Sequence, residues 1–96
     1  MIINLSPTRS DNTLEIIKTN ETLTINGVTY DFSPLPDGAT LPREAIGCEW
    51  ICGDVERVNG ELVIPILLPH VPDASEAARF PEPMAVTIDG EVVLPE

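Results

Sequence analysis

One lysine, one histidine, one tryptophan and one tyrosine are all that these 96 residues hold of those types. Five basic residues face sixteen acidic ones, for a formal charge of −11 and an isoelectric point near 4.2. A surface of that sign repels nucleic acid and anionic lipid, which excludes direct binding to either. Aromatic residues make up 4% of the chain and are not interleaved with a basic patch, so the stacking platform of a single-strand binder is missing. No apolar run approaches the roughly 20 residues that a membrane helix needs. The longest, Leu62 to Leu68, is interrupted by Pro65. The opening MIINLSPTRSD has neither a basic start followed by an apolar core nor a small-residue cleavage site. The expected location is therefore the cytoplasm of the producing cell. In that compartment Asn4-Leu5-Ser6 and Asn20-Glu21-Thr22 have no role as glycosylation sequences.

Chemical constellations are equally scarce. His70, in LLPHVP, has no oriented partner that the sequence can identify, and it reads as a loop residue with a structural or surface role. Cys48 and Cys52 lie four apart in CEWIC. On a strand that spacing is roughly 13 Å, against the limit of about 7 Å between disulfide-linked Cα atoms. Two reduced, packed thiols are expected. Zinc would need further ligands than these and one histidine. Glu49, Asp54, Glu56 and Glu61 surround one strand pair, with Asp54, Glu56 and Glu61 on one side by alternation. A carboxylate pair or a calcium site is conceivable there, but no glycine-punctuated calcium loop exists and a solvated strand face accounts for them. No glycine-rich loop could cradle phosphate. Trp50, Tyr30 and Phe32 are expected in the core. The sequence thus nominates no catalytic, cofactor-binding or metal-binding residue, and the chain reads as a non-enzyme without a cofactor.

What the sequence does contain is hairpins. In LTINGVTYDF, Asn26-Gly27 suits a two-residue type I′ turn. Ile25 then faces Val28, Leu23 faces Tyr30 and Glu21 faces Phe32. One side carries Leu23, Ile25, Val28, Tyr30 and Phe32, and the other Thr22, Thr24, Thr29 and Asp31. The preceding TLEIIK extends this sheet if a turn at Thr19-Asn20 sets Ile16 opposite Leu23 and Leu14 opposite Ile25. A second hairpin, DVERVNGELVIPILL, turns at Asn59-Gly60. Arg57 faces Leu62, Val55 faces Ile64 and Ile51 faces Leu68. One side gathers Ile51, Val55, Leu62, Ile64, Ile66 and Leu68. The other adds Val63 and Leu67, with Trp50 and Cys52 on the partner strand. A strand apolar on both sides belongs in the middle of a sheet, whereas Pro65 belongs at an edge or a bulge. A bulge or bend near Pro65 is the expectation. A third hairpin, AVTIDGEVVLP, would turn at Asp89-Gly90.

Between the first two hairpins, Pro42, Glu44 and Gly47 outline a helical turn. Between the second and third, Asp73 and Glu76 resemble a capping pair for a short helix over Ala74 to Arg79. The chain is expected to form one mostly β domain, 1–96, an antiparallel β-hairpin sandwich or open barrel with one or two short helical turns. A proline-rich loop at 69–83 separates the second and third hairpins.

The stretches TLTINGVTYDFSPLPDGATLP, CEWICGDVERVNGELVIPILLPH and FPEPMAVTIDGEVVLP together resemble a family of small proteins encoded in the tail-gene regions of phages and prophages. The resemblance runs from MIINLSP to the last hairpin and brings no functional residues with it. It implies a tail-associated protein, a minor tail component or an assembly accessory, whose partners are phage tail proteins or a second copy of itself. Its place would be the cytoplasm of the bacterial host during assembly, with the virion tail as a further destination. The alternative is an acidic inhibitor that mimics DNA before a host nucleic-acid-binding defence protein.

Overall fold

Two successive residues with positive φ mark each asparagine-glycine tip. Asn26 and Gly27 stand at 48° and 83°, and Asn59 and Gly60 at 51° and 80°. This is the type I′ requirement, and its twist matches that of the strands on either side. A computed structural model describes residues 1–10, 12–70 and 81–94. These form strands β1 (Ile2–Arg9), β2 (Ile16–Thr19), β3 (Thr22–Ile25), β4 (Val28–Asp31), β5 (Thr40–Leu41), β6 (Val55–Val58), β7 (Glu61–His70), β8 (Met84–Ala85) and β9 (Gly90–Glu91). The helical turn α1 (Arg43–Ile46) lies between β5 and β6.

The strands make two sheets, one ordered β5-β6-β7-β1-β8 and the other β4-β3-β2-β9. Their facing sides meet in a single core of Ile3, Leu5, Ile51, Val55, Leu62, Ile64, Ile66 and Leu68 from one sheet and its connections, and Ile16, Leu23, Ile25, Phe32 and Val92 from the other. The chain forms the expected mostly β fold; of the two expected forms, sandwich or open barrel, it takes the two-sheet one, and of the one or two expected helical turns the described residues hold one. Inside it lies one parallel pair. β1 runs beside β7 from Ile2↔Val63 to Arg9↔His70, so the first strand sits near the middle of the larger sheet.

Both asparagine-glycine hairpins keep the expected register, with Leu23↔Tyr30 and Ile25↔Val28 in one and Arg57↔Leu62 in the other. Val28, next to its tip, is 53% exposed rather than part of the dry face. The turn before β3 is Asn20-Glu21, not Thr19-Asn20, because Asn20 is the residue that takes positive φ, at 54°. Ile16 consequently faces Ile25 rather than Leu23. A slip of two residues keeps every side chain on its expected face.

The prolines follow from which way each backbone N–H would point. Leu67 N–H donates to the Trp50 carbonyl at 2.8 Å, and Cys52 N–H to the Pro65 carbonyl at 3.1 Å. Odd-numbered residues of β7 thus aim their backbone at β6, even-numbered ones at β1. Pro65 lacks its donor where β6 swings away. Ile51 bridges Ile66 rather than facing Leu68, so 52–54 form a bulge opposite the single residue Pro65. The expected bulge is real, but it lies in the facing strand while β7 continues through Pro65. Gly53 packs closely there: a Cβ would lie 3.1 Å from Pro65 Cγ, a tight contact. Ser10 N–H donates to the His70 carbonyl, which by the same parity turns Pro7 of β1 away from β7. Among the described residues nothing pairs with that side at Pro7, because β8 meets only Ile2 and Ile3. No ladder bond is lost at any of these sites.

The third expected hairpin does not form. β8 pairs with β1 and β9 with β2, and 86–89 cross from one sheet to the other. The flanking residues explain why. Ile88 and Val93 are 80% and 82% exposed, so the two arms share no buried face. The Asp89 carboxylate is held by Lys18 and Asn20 of the other sheet. α1 begins one residue later than expected, with Pro42 as its extended cap, and Gly47 closes it in the left-handed region at φ 70°. The helix expected over Ala74 to Arg79 lies outside the described residues, as does most of the loop at 69–83. Pro69 and His70 belong to β7. Among the described residues no helix is long and apolar enough to cross a membrane.

Ile64 is fully buried in β7, between β6 and β1. Ile64→Asp places an unpaired carboxylate there, and loss of the cooperative thermal transition is expected by circular dichroism. A soluble variant that melts like the wild type would remove β7 from the core.

Candidate interaction site

Arg57 occupies a core-facing position of β6 and is 8% exposed. A guanidinium has five N–H groups, and each meets an acceptor. Nε donates to the Leu35 carbonyl at 2.6 Å. One terminal nitrogen donates to Glu21 Oε1 at 3.1 Å and the Gly60 carbonyl at 3.3 Å. The other donates to Glu21 Oε2 at 2.6 Å and the Phe32 carbonyl at 3.3 Å. The turn before β3, the segment after β4 and the β6–β7 tip are thereby joined by one side chain. The forked contact with Glu21 is the planar bidentate geometry that arginine favours. It holds Glu21 below the ordinary carboxylate range and Arg57 above its own.

Lys18 is 7% exposed and donates to Asp89 Oδ1 at 2.8 Å. The same oxygen accepts the Asn20 N–H at 2.9 Å. Asp89 is therefore lowered, first by Lys18 and then by the Asn20 amide. Lys18, Arg57, Leu62 and Val86 line a cavity of about 260 Å³ between the sheets. It is smaller than the roughly 300 Å³ at which small-molecule sites begin. The cations in its wall face carboxylates: Arg57 joins the two sheets through Glu21, and Lys18 holds the crossing segment through Asp89.

The sequence candidates do not converge. His70 is half-buried at the end of β7, not in a loop. Cys48 is buried and Cys52 half-buried, both as free thiols. Phe32 is core, while Tyr30 and Trp50 pack half-buried against it. Asp54 accepts the Arg43 N–H at 3.0 Å, at the start of α1. Glu61 pairs with the Met1 ammonium. Glu49 and Glu56 face solvent. Among the described residues no three of His, Cys, Asp and Glu are grouped as a metal site would require.

An open strand edge is the feature that remains. The two sheets have four outer strands. Three of them, β5, β8 and β9, are two residues long, a length that blunts an edge. β4 is four residues long. Phe32 N–H donates to the Glu21 carbonyl at 3.1 Å, and the ladder alternates from there. Val28, Tyr30 and Phe32 bond inward to β3. Thr29 and Asp31 direct their N–H and C=O groups away from the sheet. Alternation within β4 was legible in the sequence. That β4 would be outermost was not, because it depends on where the later strands pair, and β9 pairs with β2 at the far side of the sheet.

Charge gathers beside this edge. The Asp31 carboxylate is lowered by the Ser33 amide first, then by the Ser33 and Thr22 side chains. Tyr30 is pushed up to about 12 by the hydrogen bond it shares with Cys48, by burial, and by the nearby charge of Glu49.

Two titrations check these environments. Glu21, Asp31 and Asp89 are depressed in the folded state, so the stability they give is present above their unfolded values, 4.5 for Glu21 and 3.8 for the two aspartates. It is lost as pH falls through the folded values. The urea midpoint is expected to fall in acid, and Glu21→Gln to show a smaller fall. An identical decline in both proteins would contradict the Arg57–Glu21 assignment. Tyr30 is raised, so its contribution is complete below 10 and lost as pH climbs toward about 12. The phenolate absorbance of this single tyrosine should appear near 12; appearance near 10 would place Tyr30 in water.

Comparison of the chain with protein-family models, with curated proteins and with solved structures finds no match.

Proposed function

We propose that this chain is a non-enzymatic phage or prophage tail-associated protein, a minor tail component or an assembly accessory, that acts by protein–protein contact. The observation that carries the contact is the edge of β4, where two residues present backbone donors and acceptors that nothing among the described residues uses. Main-chain pairing at such an edge gives affinity without a catalytic group or cofactor. The tail setting comes from the resemblance of the hairpin segments. The acidic surface fits this use as well, since it keeps a protein with an open strand edge from pairing with its own copies.

The test is mass spectrometry of purified particles beside the lysate after induction of the encoding phage. Recovery at a fixed ratio to a tail subunit, or with a tail subunit in the lysate alone, is the expected result. Recovery only with a basic host nuclease or another nucleic-acid-binding defence protein would overturn it in favour of the DNA-mimic reading.

A further inference from the structure

We infer that the β4 edge receives an extended, basic segment of a partner protein, which adds to the four-stranded sheet as a fifth strand beside Thr29 and Asp31. The inference rests on the reading that the chain works through protein contact, and it names the contact.

Geometry supplies the main-chain half. Thr29 and Asp31 direct two N–H and two C=O groups outward, the pattern that an added strand completes. No backbone bond from either residue goes elsewhere among the described residues. Both residues are exposed. The usual protections of an edge, an inward lysine, a proline or a bulge, are absent from Val28–Asp31.

Charge supplies the choice of occupant. A residue paired with Asp31 across the new ladder stands about 5.5 Å away by Cα and on the same face. Among the described residues no ion pair reaches Asp31, whose carboxylate accepts from the Thr22 hydroxyl and the Ser33 N–H. Glu49 adds negative charge on the side of Tyr30. Lys18 and Arg57 are drawn into ion pairs within the fold, so they do not offset that charge at the surface. A second copy would bring −11 against −11 and no lysine or arginine in its own β4. A segment with lysine or arginine opposite Asp31 and Thr29 gains an ion pair. An apolar residue between them meets Val28, 53% exposed, and Tyr30 on the opposite face.

The probe is a blocked heptapeptide in which valine alternates with lysine, titrated into the intact chain at low salt while amide resonances are followed. Saturating shifts at Thr29 and Asp31 that weaken as salt is added are expected. The same peptide with glutamate for lysine, or N-methylated at its lysines, should give none. Thr29→Pro removes an outward donor at a position where an edge tolerates proline, and should lose the shifts with the melt unchanged. If that variant does not fold, the N-methylated peptide carries the same comparison. Unmoved Thr29 and Asp31 amides, equal shifts from the glutamate peptide, or sedimentation as a dimer paired through this edge would each overturn the inference. An edge that fails while the chain still associates with tail subunits would remove this docking mode and leave protein contact standing. A working edge without any tail association would remove the tail reading instead.

Discussion

The Arg57 guanidinium is the interaction on which the rest of the arrangement depends. It belongs to the larger sheet, yet four of its five hydrogen bonds reach the smaller sheet and the segment that leaves it. Hydrophobic contact between two sheets is non-directional and would permit sliding. A planar fork with every donor satisfied does not, because any shift leaves a nearly buried charge without its acceptors. Phe32 is the hinge point. Its N–H closes the β3–β4 ladder on Glu21, and its carbonyl accepts from Arg57. The last residues of β4 are thereby fixed in place, and with them the direction in which Thr29 and Asp31 present their backbone.

Lys18 does the same work at the other side of the small sheet. Asp89 reaches it from the segment that crosses between the sheets and also caps the turn at Asn20. Lys18 and Arg57 thus serve to join elements, while Glu15, Glu44, Glu49 and Glu56 face solvent. An acidic exterior with an open edge is a consistent combination. On the docking proposed above, the charge discourages pairing between copies and favours a partner of opposite sign.

Local chemistry made part of this legible in the sequence. Asn26-Gly27 and Asn59-Gly60 give their turns because few other pairs take positive φ twice, and period-two alternation then fixes which residues are dry. Ile51, Val55, Leu62, Ile64, Ile66 and Leu68 are all buried on the side that alternation assigned. Long-range pairing was not legible. β1 pairs in parallel with a strand about sixty residues away, and no turn residue announces such a partner, although the period-two spacing of Ile3 and Leu5 hinted at a strand. Asp89-Gly90 carries a hairpin signal that loses to Lys18 and Asn20, which hold the aspartate in another sheet. Arg57 was placed correctly opposite Leu62, and its meaning lay in its neighbours. An arginine in the register of Val55 and Leu62 must find acceptors in the core, and Glu21 was the unassigned carboxylate at the end of the other hairpin.

Amide hydrogen exchange along β4 in the isolated chain decides whether this edge is open. Alternation is expected, with Tyr30 and Phe32 protected by their bonds to β3 and Thr29 and Asp31 exchanging near the rate of an unprotected amide. Protection at Thr29 and Asp31 equal to that at Tyr30 would mean that the edge is already covered and that no partner strand can add there.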